Sequence, residues 1–190
     1  MTGRTTTALI VGDMQTGILE NHPFARAPLA PLRTLVPAAR AAHDVLVVFI
    51  RTELRASGID VSANNTVLTA FHRSGTLFHE GSGETDVTPD LAPTAEDVVI
   101  TKRRASAFAG TELDLVLRAQ HIESIVLTGV ATSAMVAATL YDAMDRDYRV
   151  TVLDDACADA ERDVHDVFME RIFPERGARV MTAETWLGER

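Results

Sequence analysis

The sequence predicts an α/β domain of three layers, α-β-α and Rossmann-like, built on a six-stranded, mainly parallel sheet. Three observations predict it. Short runs rich in Val, Ile and Leu alternate with longer segments of helical period, as crossover units around a parallel sheet require. Most of the strand runs are apolar on both faces, which suits strands buried between two helical layers. The length of 190 residues fits one core, since cores divide beyond roughly 250–300 residues.

The elements follow in order. Thr6–Gly12 is the first strand, carried by the apolar run from Ala8 to Val11. Leu32–His43 has apolar residues three and four apart and reads as a helix. Val45–Thr52 is the second strand, with apolar side chains from Val45 to Ile50. The stretch Glu53–Glu96 has no clear period and holds Gly58, Gly75, Gly81, Gly83, Pro89 and Pro93. Segments that long inside a compact domain usually carry function or form oligomers. Asp97–Lys102 is the third strand, and Thr111–Gln120 the next helix, with Leu113, Val116 and Leu117 at helical spacing. Ser124–Val130, the helix Ser133–Asp147, Arg149–Asp154, the helix Arg162–Ile172 and the strand Ala178–Thr182 complete a single domain over residues 1–190.

Composition narrows the function classes. The formal charge of −9, from 27 acidic and 18 basic residues, repels a phosphate backbone, so nucleic acid is not an expected partner. The longest apolar runs fall well short of the ~20 residues that cross a bilayer, and no membrane partner is expected. The N-terminus, with Arg4 and an early strand, lacks the order of a secretory leader, so cytoplasmic residence is expected. The single cysteine, Cys157, excludes an intrachain disulfide and supplies no zinc pair. The six histidines include no pair at i, i+4 spacing, so most of them read as surface residues, and neither a metal nor another cofactor is expected.

Right-handed crossovers put every strand-to-helix turn at the carboxyl edge of the sheet, where ligands of such folds bind. That edge gathers Asp13, Arg51, Glu53, Lys102, the turn Val130–Met135 and the stretch Asp154–Cys157. Asp13 ends an apolar strand and is a candidate acid or base; the same position suits a capping carboxylate. Lys102 closes a buried strand, either paired with a carboxylate or reaching out to solvent. The turn after the fourth strand can aim backbone N–H groups at an anion or oxyanion, although every parallel α/β protein has such turns. No phosphate-binding Gly-rich loop and no Gly-x-Ser-x-Gly elbow occurs.

Four blocks in order resemble the isochorismatase-like hydrolase superfamily, the cysteine hydrolases. They are Leu9-Ile-Val-Gly-Asp-Met-Gln15, Val99-Ile-Thr-Lys-Arg-Arg-Ala-Ser-Ala-Phe-Ala-Gly-Thr-Glu-Leu113, Leu127-Thr-Gly-Val-Ala-Thr132 and Val152-Leu-Asp-Asp-Ala-Cys-Ala158. The resemblance covers nearly the full chain. It implies that Asp13 and Lys102 are catalytic and that the Val130–Ala131 peptide is cis; Gln15, Arg51, Val130, Ala131, Thr132 and Met135 are the expected substrate-binding residues. It also implies a homodimer, with part of Asn64–Gly83 at the interface on the strength of its apolar content.

In the family a nucleophilic cysteine follows Gly-Val-Ala-Thr by three positions, and here that residue is Met135, a thioether with no proton to lose. Cys157 belongs to a segment that coexists with the nucleophile in family sequences and reads as a packing residue. Isochorismatases proper also lack the cysteine and cleave a vinyl ether with the Asp as general acid. Metal-binding members carry Asp-x-His after the second strand, whereas this chain reads Phe49-Ile-Arg-Thr-Glu53, against a nicotinamidase. Three functions follow. The first is a non-covalent hydrolase of a small, carboxylated metabolite, with an anion held by Arg51 or the strand-four turn. The second is a small-molecule-binding pseudoenzyme. The third is an amidase using Ser133, which lies two residues early for the role.

Overall fold

The computed structural model describes residues 6–190. The expectation about a leader concerns residues 1–5, Arg4 among them, which lie outside that range. The strands are β1 (Thr6–Gly12), β2 (Val45–Thr52), β3 (Val98–Lys102), β4 (Ile122–Val130), β5 (Arg149–Ala158) and β6 (Arg179–Met181). They form one sheet in the order β3-β2-β1-β4-β5-β6. Every neighbouring pair is parallel, so the sheet is wholly rather than mainly parallel. The order reverses between β1 and β4, which is the switch point where doubly wound sheets open a crevice.

The helices are α1 (Thr16–Asn21), α2 (Leu29–Ala41), α3 (Thr66–Arg73), α4 (Leu113–Ala119), α5 (Ala137–Met144), α6 (Arg162–Val167), α7 (Phe173–Glu175) and α8 (Ala183–Gly188). Strand alternation sorts the core into two halves. Leu9, Val11, Val47 and Phe49 face α2 and α8, packing with Leu32, Leu35 and Trp186. Ala8, Ile10, Val48 and Ile50 face the other layer, packing with Leu113, Leu117, Leu140 and Phe173. Continuous apolar strands are thereby buried on both sides, as their composition requires.

Several elements differ from the sequence expectation. The short helices α1, α3 and α8 sit where no helical repeat is long enough to stand out. The expected helices Ser133–Asp147 and Arg162–Ile172 are each part π-helix, over Thr132–Val136 and Phe168–Ile172. β5 runs to Ala158 because of a bulge: between the pairs Leu127↔Val152 and Gly129↔Cys157 it advances five residues while β4 advances two. A bulge of that kind redirects side chains at a strand end.

The segment 53–96 is stapled to the sheet edge rather than left loose. Isolated bridges join Gln15 to Val87 and Leu54 to His79. Its apolar residues Leu68, Leu77 and Phe78 are buried in the first core half, while Val67 and Phe71 remain exposed.

Candidate active site

The site begins with the parity of three strand ends. Thr52 of β2 is in register with Lys102 of β3, so both side chains point to the same face. Asp13, one residue past β1, adopts a left-handed backbone with φ of 55°, a conformation that costs a non-glycine residue about 1–3 kcal/mol and recurs at functional positions. Its N–H donates to the Ile50 carbonyl at 2.8 Å, which ties the turn to β2. The three side chains close on one another. Lys102 Nζ lies 2.9 Å from Asp13 Oδ2 and donates to Thr52 Oγ1 at 2.6 Å. Thr52 Oγ1 in turn donates to Asp13 Oδ1 at 3.1 Å. Asp13 and Lys102 are only 8% and 3% exposed. Burial raises the Asp13 pKa above 3.8, with the Lys102 charge and the hydrogen bonds from Lys102 and Thr52 opposing it. Desolvation wins because removing a carboxylate from water costs more than one shared cation returns.

These groups line a cavity of about 580 Å³ together with Val130, Ala131 and Met135. The Val130–Ala131 peptide is cis. Gly129 has φ of 107°, and a Cβ there would lie 2.0 Å from the Gly12 carbonyl oxygen, so only glycine lets β4 pass β1 this closely before the turn. Met135 is buried, and its methyl group fills the space over Gly12: a Cβ on Gly12 would come within 1.6 Å of Met135 Cε. The far wall is apolar, formed by Ile18, Phe24, Val67, Leu68, Phe71 and Phe78. Phe71 and Phe78 stack with centroids 4.4 Å apart.

The remaining candidates are placed elsewhere. Arg51 does not line the cavity. In register with Thr101, it lies on the face opposite Thr52 and Lys102. There its guanidinium donates to Thr101 Oγ1 and pairs with Glu53 at 3.3 Å and Asp86 at 3.1 Å. Gln15 is fully enclosed and clamps the backbone around Thr52. Its amide donates to the Thr52 and Thr85 carbonyls, and its oxygen accepts from the Thr52 N–H. Thr132 turns away from the cavity, its hydroxyl 2.8 Å from His165 Nδ1. His165 Nε2 lies 2.8 Å from Asp154 Oδ1. That carboxylate accepts from Nε2–H, so Nδ1 accepts from Thr132. His165 is thus the buried histidine among those described, because one polar partner on each ring nitrogen makes burial tolerable.

Ser133 is exposed, outside the cavity, and its N–H donates to Asp159. Cys157 is buried, donates weakly to the Leu127 carbonyl, and has a thiol pKa pushed up by burial and by Asp154, which leaves it protonated and unreactive. Among the described residues no three His, Cys, Asp or Glu side chains converge as a metal-ligand group. Sequence reasoning missed Thr52, which strand parity with Lys102 would have found, and the aromatic wall, for which no local pattern speaks.

Comparison with known proteins places this geometry among hydrolases. An isochorismatase domain model matches residues 7–185. The chain is 32% identical over 174 residues to the ureidoacrylate amidohydrolase RutB of Acinetobacter baylyi, covering 81% of this chain and 71% of that protein. Its fold is similar to a cysteine hydrolase from Pseudomonas syringae pv. phaseolicola, with a TM-score of 0.88, 26% identity, and 98% of this chain and 97% of that one covered. It is also similar to the N-carbamoylsarcosine amidase of Thermoplasma acidophilum, with a TM-score of 0.78, 27% identity, and 94% and 97% covered. No helix among the described residues is long and apolar enough to cross a membrane.

Proposed function

The chain belongs to the isochorismatase family, and on that premise we propose that it hydrolyses a small, carboxylated metabolite without a covalent cysteine intermediate. The observation that carries this reading is the enclosed Asp13–Lys102–Thr52 triangle beside a thioether: the proton-carrying groups are assembled, while the nucleophile position holds Met135.

Asp13 is the acid. Its raised pKa keeps a proton available at higher pH than an ordinary carboxyl would. It gives that proton to the leaving atom as the bond to it breaks. Water supplies the incoming hydroxyl and returns its other proton to Asp13. Lys102 and Thr52 hold the carboxyl group in place, and Lys102 limits how far its pKa rises. Val130 and Ala131 present backbone to the substrate at the opposite side of the floor.

The test is turnover of ureidoacrylate, N-carbamoylsarcosine and isochorismate by the unmodified protein, by Asp13→Asn and by Cys157→Ser, with and without a chelator and a thiol-alkylating reagent. Activity on any of them that survives both reagents and Cys157→Ser, and falls with Asp13→Asn, supports the reading. Binding of these compounds without turnover would replace it with a small-molecule-binding pseudoenzyme, which Met135 favours. The proposal includes a cytoplasmic two-fold dimer, supported by the apolar surface that Val67 and Phe71 leave exposed; a monomeric mass at micromolar concentration would refute the dimer.

A further inference from the structure

Arg51, the cation expected to hold the substrate's anion, is neutralised by Glu53 and Asp86 on the far face of the sheet. We propose that Arg104 takes that role, and that the polar recess it shares with Asn65 anchors a carboxylate borne on an apolar body. The inference rests on the reading of the main cavity as a substrate site.

Arg104 lies at the junction of two spaces. It lines the main cavity with Lys102 and Met135, and it lines a second recess of about 380 Å³ with Ser62, Asn64, Asn65 and Thr66. Asn65 borders both spaces as well. The recess therefore adjoins the apolar chamber, with Arg104 and Asn65 lining both. The chemistry of the two differs. The chamber wall is aliphatic and aromatic, whereas the recess is lined by hydroxyls, amides and one guanidinium, with no carboxylate among the described residues around it.

The charge of Arg104 has no carboxylate partner among the described ion pairs. Its guanidinium donates to the Arg103 and Asp60 backbone carbonyls. The nearby acid does not compensate it, because the Asp60 carboxylate is shared between Arg55 at 3.4 Å and Arg103 at 3.0 Å. The remaining N–H donors of Arg104 suit the paired oxygens of a carboxylate. Asn65 adds a donor. Its oxygen caps α3 by accepting from the Leu68 N–H at 3.0 Å, which leaves the amide N–H₂ as the available end. Ser62, whose Oγ accepts from the Asn64 N–H, retains its own O–H to donate.

The substrate class that follows is an acid with an apolar middle. Its labile bond reaches Asp13 and Lys102 at the floor, its body lies against Phe71 and Phe78, and its carboxylate stands at the mouth on Arg104.

The test is calorimetric binding of phenylacetate, 3-phenylpropanoate and 4-phenylbutanoate, each against the alcohol of the same chain length, so that no hydrolysable bond is present and binding is read without turnover. We expect at least one acid to bind roughly tenfold more tightly than its alcohol, as a charge-assisted bidentate contact requires. That ratio should fall to near one in Arg104→Gln and persist in Lys102→Gln and Arg51→Gln. Arg104 is exposed, so its variant should fold, which thermal unfolding would check. No preference for any acid, or a preference that survives Arg104→Gln, overturns the proposal. Loss of the preference in Lys102→Gln instead would move the carboxylate to the floor and also overturn it. A chain that binds the acids through Arg104 yet turns nothing over would keep this site and lose only the hydrolase reading.

Discussion

The floor and the wall of the cavity are built by opposite means. The floor comes from strand ends: Asp13, Thr52 and Lys102 are fixed by sheet register and by hydrogen bonds of 2.6–3.1 Å. Beside Ile18 and Phe24, the wall comes from the segment 53–96, where α3 packs apolar side chains against the chamber and is held by a single-residue bridge at Leu54 and by its Asn65 cap. The floor is polar, enclosed and rigid, as chemistry demands. The wall is apolar and partly exposed, as suits shape selection and exchange of ligand with solvent. Changes to the floor should therefore alter rate, and changes to the wall should alter affinity.

The largest expected effect is at the floor. Once a substrate is in hand, Asp13→Asn should lower kcat by roughly 10²–10⁴ with KM little changed, measured by steady-state kinetics. An equal loss in KM and none in kcat would erase the distinction between floor and wall. The pH profile sharpens the same point. If Asp13 acts in its protonated form, activity falls as pH rises through its raised pKa. Lys102→Met removes the charge that lowers that pKa and should move the falling limb to higher pH. Stability carries the matching sign. The folded state holds the Asp13 proton more tightly than the unfolded chain, so this group's contribution is full below 3.8 and is lost as pH rises through the folded value. Asp13→Asn should remove that dependence in denaturant titrations at several pH values.

The next effect lies where floor meets turn. Gly12→Ala puts a methyl into the Met135 side chain and should cost about 1–3 kcal/mol as overpacking. Met135→Ala by itself should alter KM more than kcat and cost about 2–5 kcal/mol through the hole it leaves. Combined, the two changes should cost less than their sum, and a double-mutant cycle by chemical denaturation would reveal the coupling. Additive losses would mean that Met135 does not occupy the space over Gly12.

Smaller again is the wall. Phe71→Ala should raise KM by roughly 3- to 10-fold with kcat nearly unchanged, since it removes stacking and apolar area but leaves the floor intact. A matching fall in kcat would show that the wall also positions the reacting bond. Smallest of all, Cys157→Ser should leave turnover unaltered, because its thiol stays protonated and lies outside the cavity.

Much of the fold and part of the site were legible in the sequence, for identifiable reasons. The strands announced themselves because both of their faces are buried, leaving unbroken apolar runs such as Leu9–Val11 and Val47–Ile50. Asp13 and Lys102 stood out because a charge that ends a buried apolar run must either find a partner or reach water, and the four family blocks assigned them roles. Met135 was legible as the missing nucleophile because the resemblance places the family's cysteine three positions after Gly-Val-Ala-Thr. α3 was not legible, since eight residues cannot display a helical period convincingly.

The sequence by itself thus determined the parallel sheet and the carboxyl edge at which Asp13 and Lys102 collect, because these depend on local burial patterns and on connection handedness. Only the tertiary structure decided which edge residues share the site. Arg51 and Thr52 are adjacent in sequence, yet strand parity sends one to Glu53 and Asp86 and the other to Asp13. His165 and Thr132 are 33 residues apart and meet in the core. Partners of that kind depend on register, on the bulge in β5 and on the path of segment 53–96, which are set by long-range packing that no local window of sequence contains.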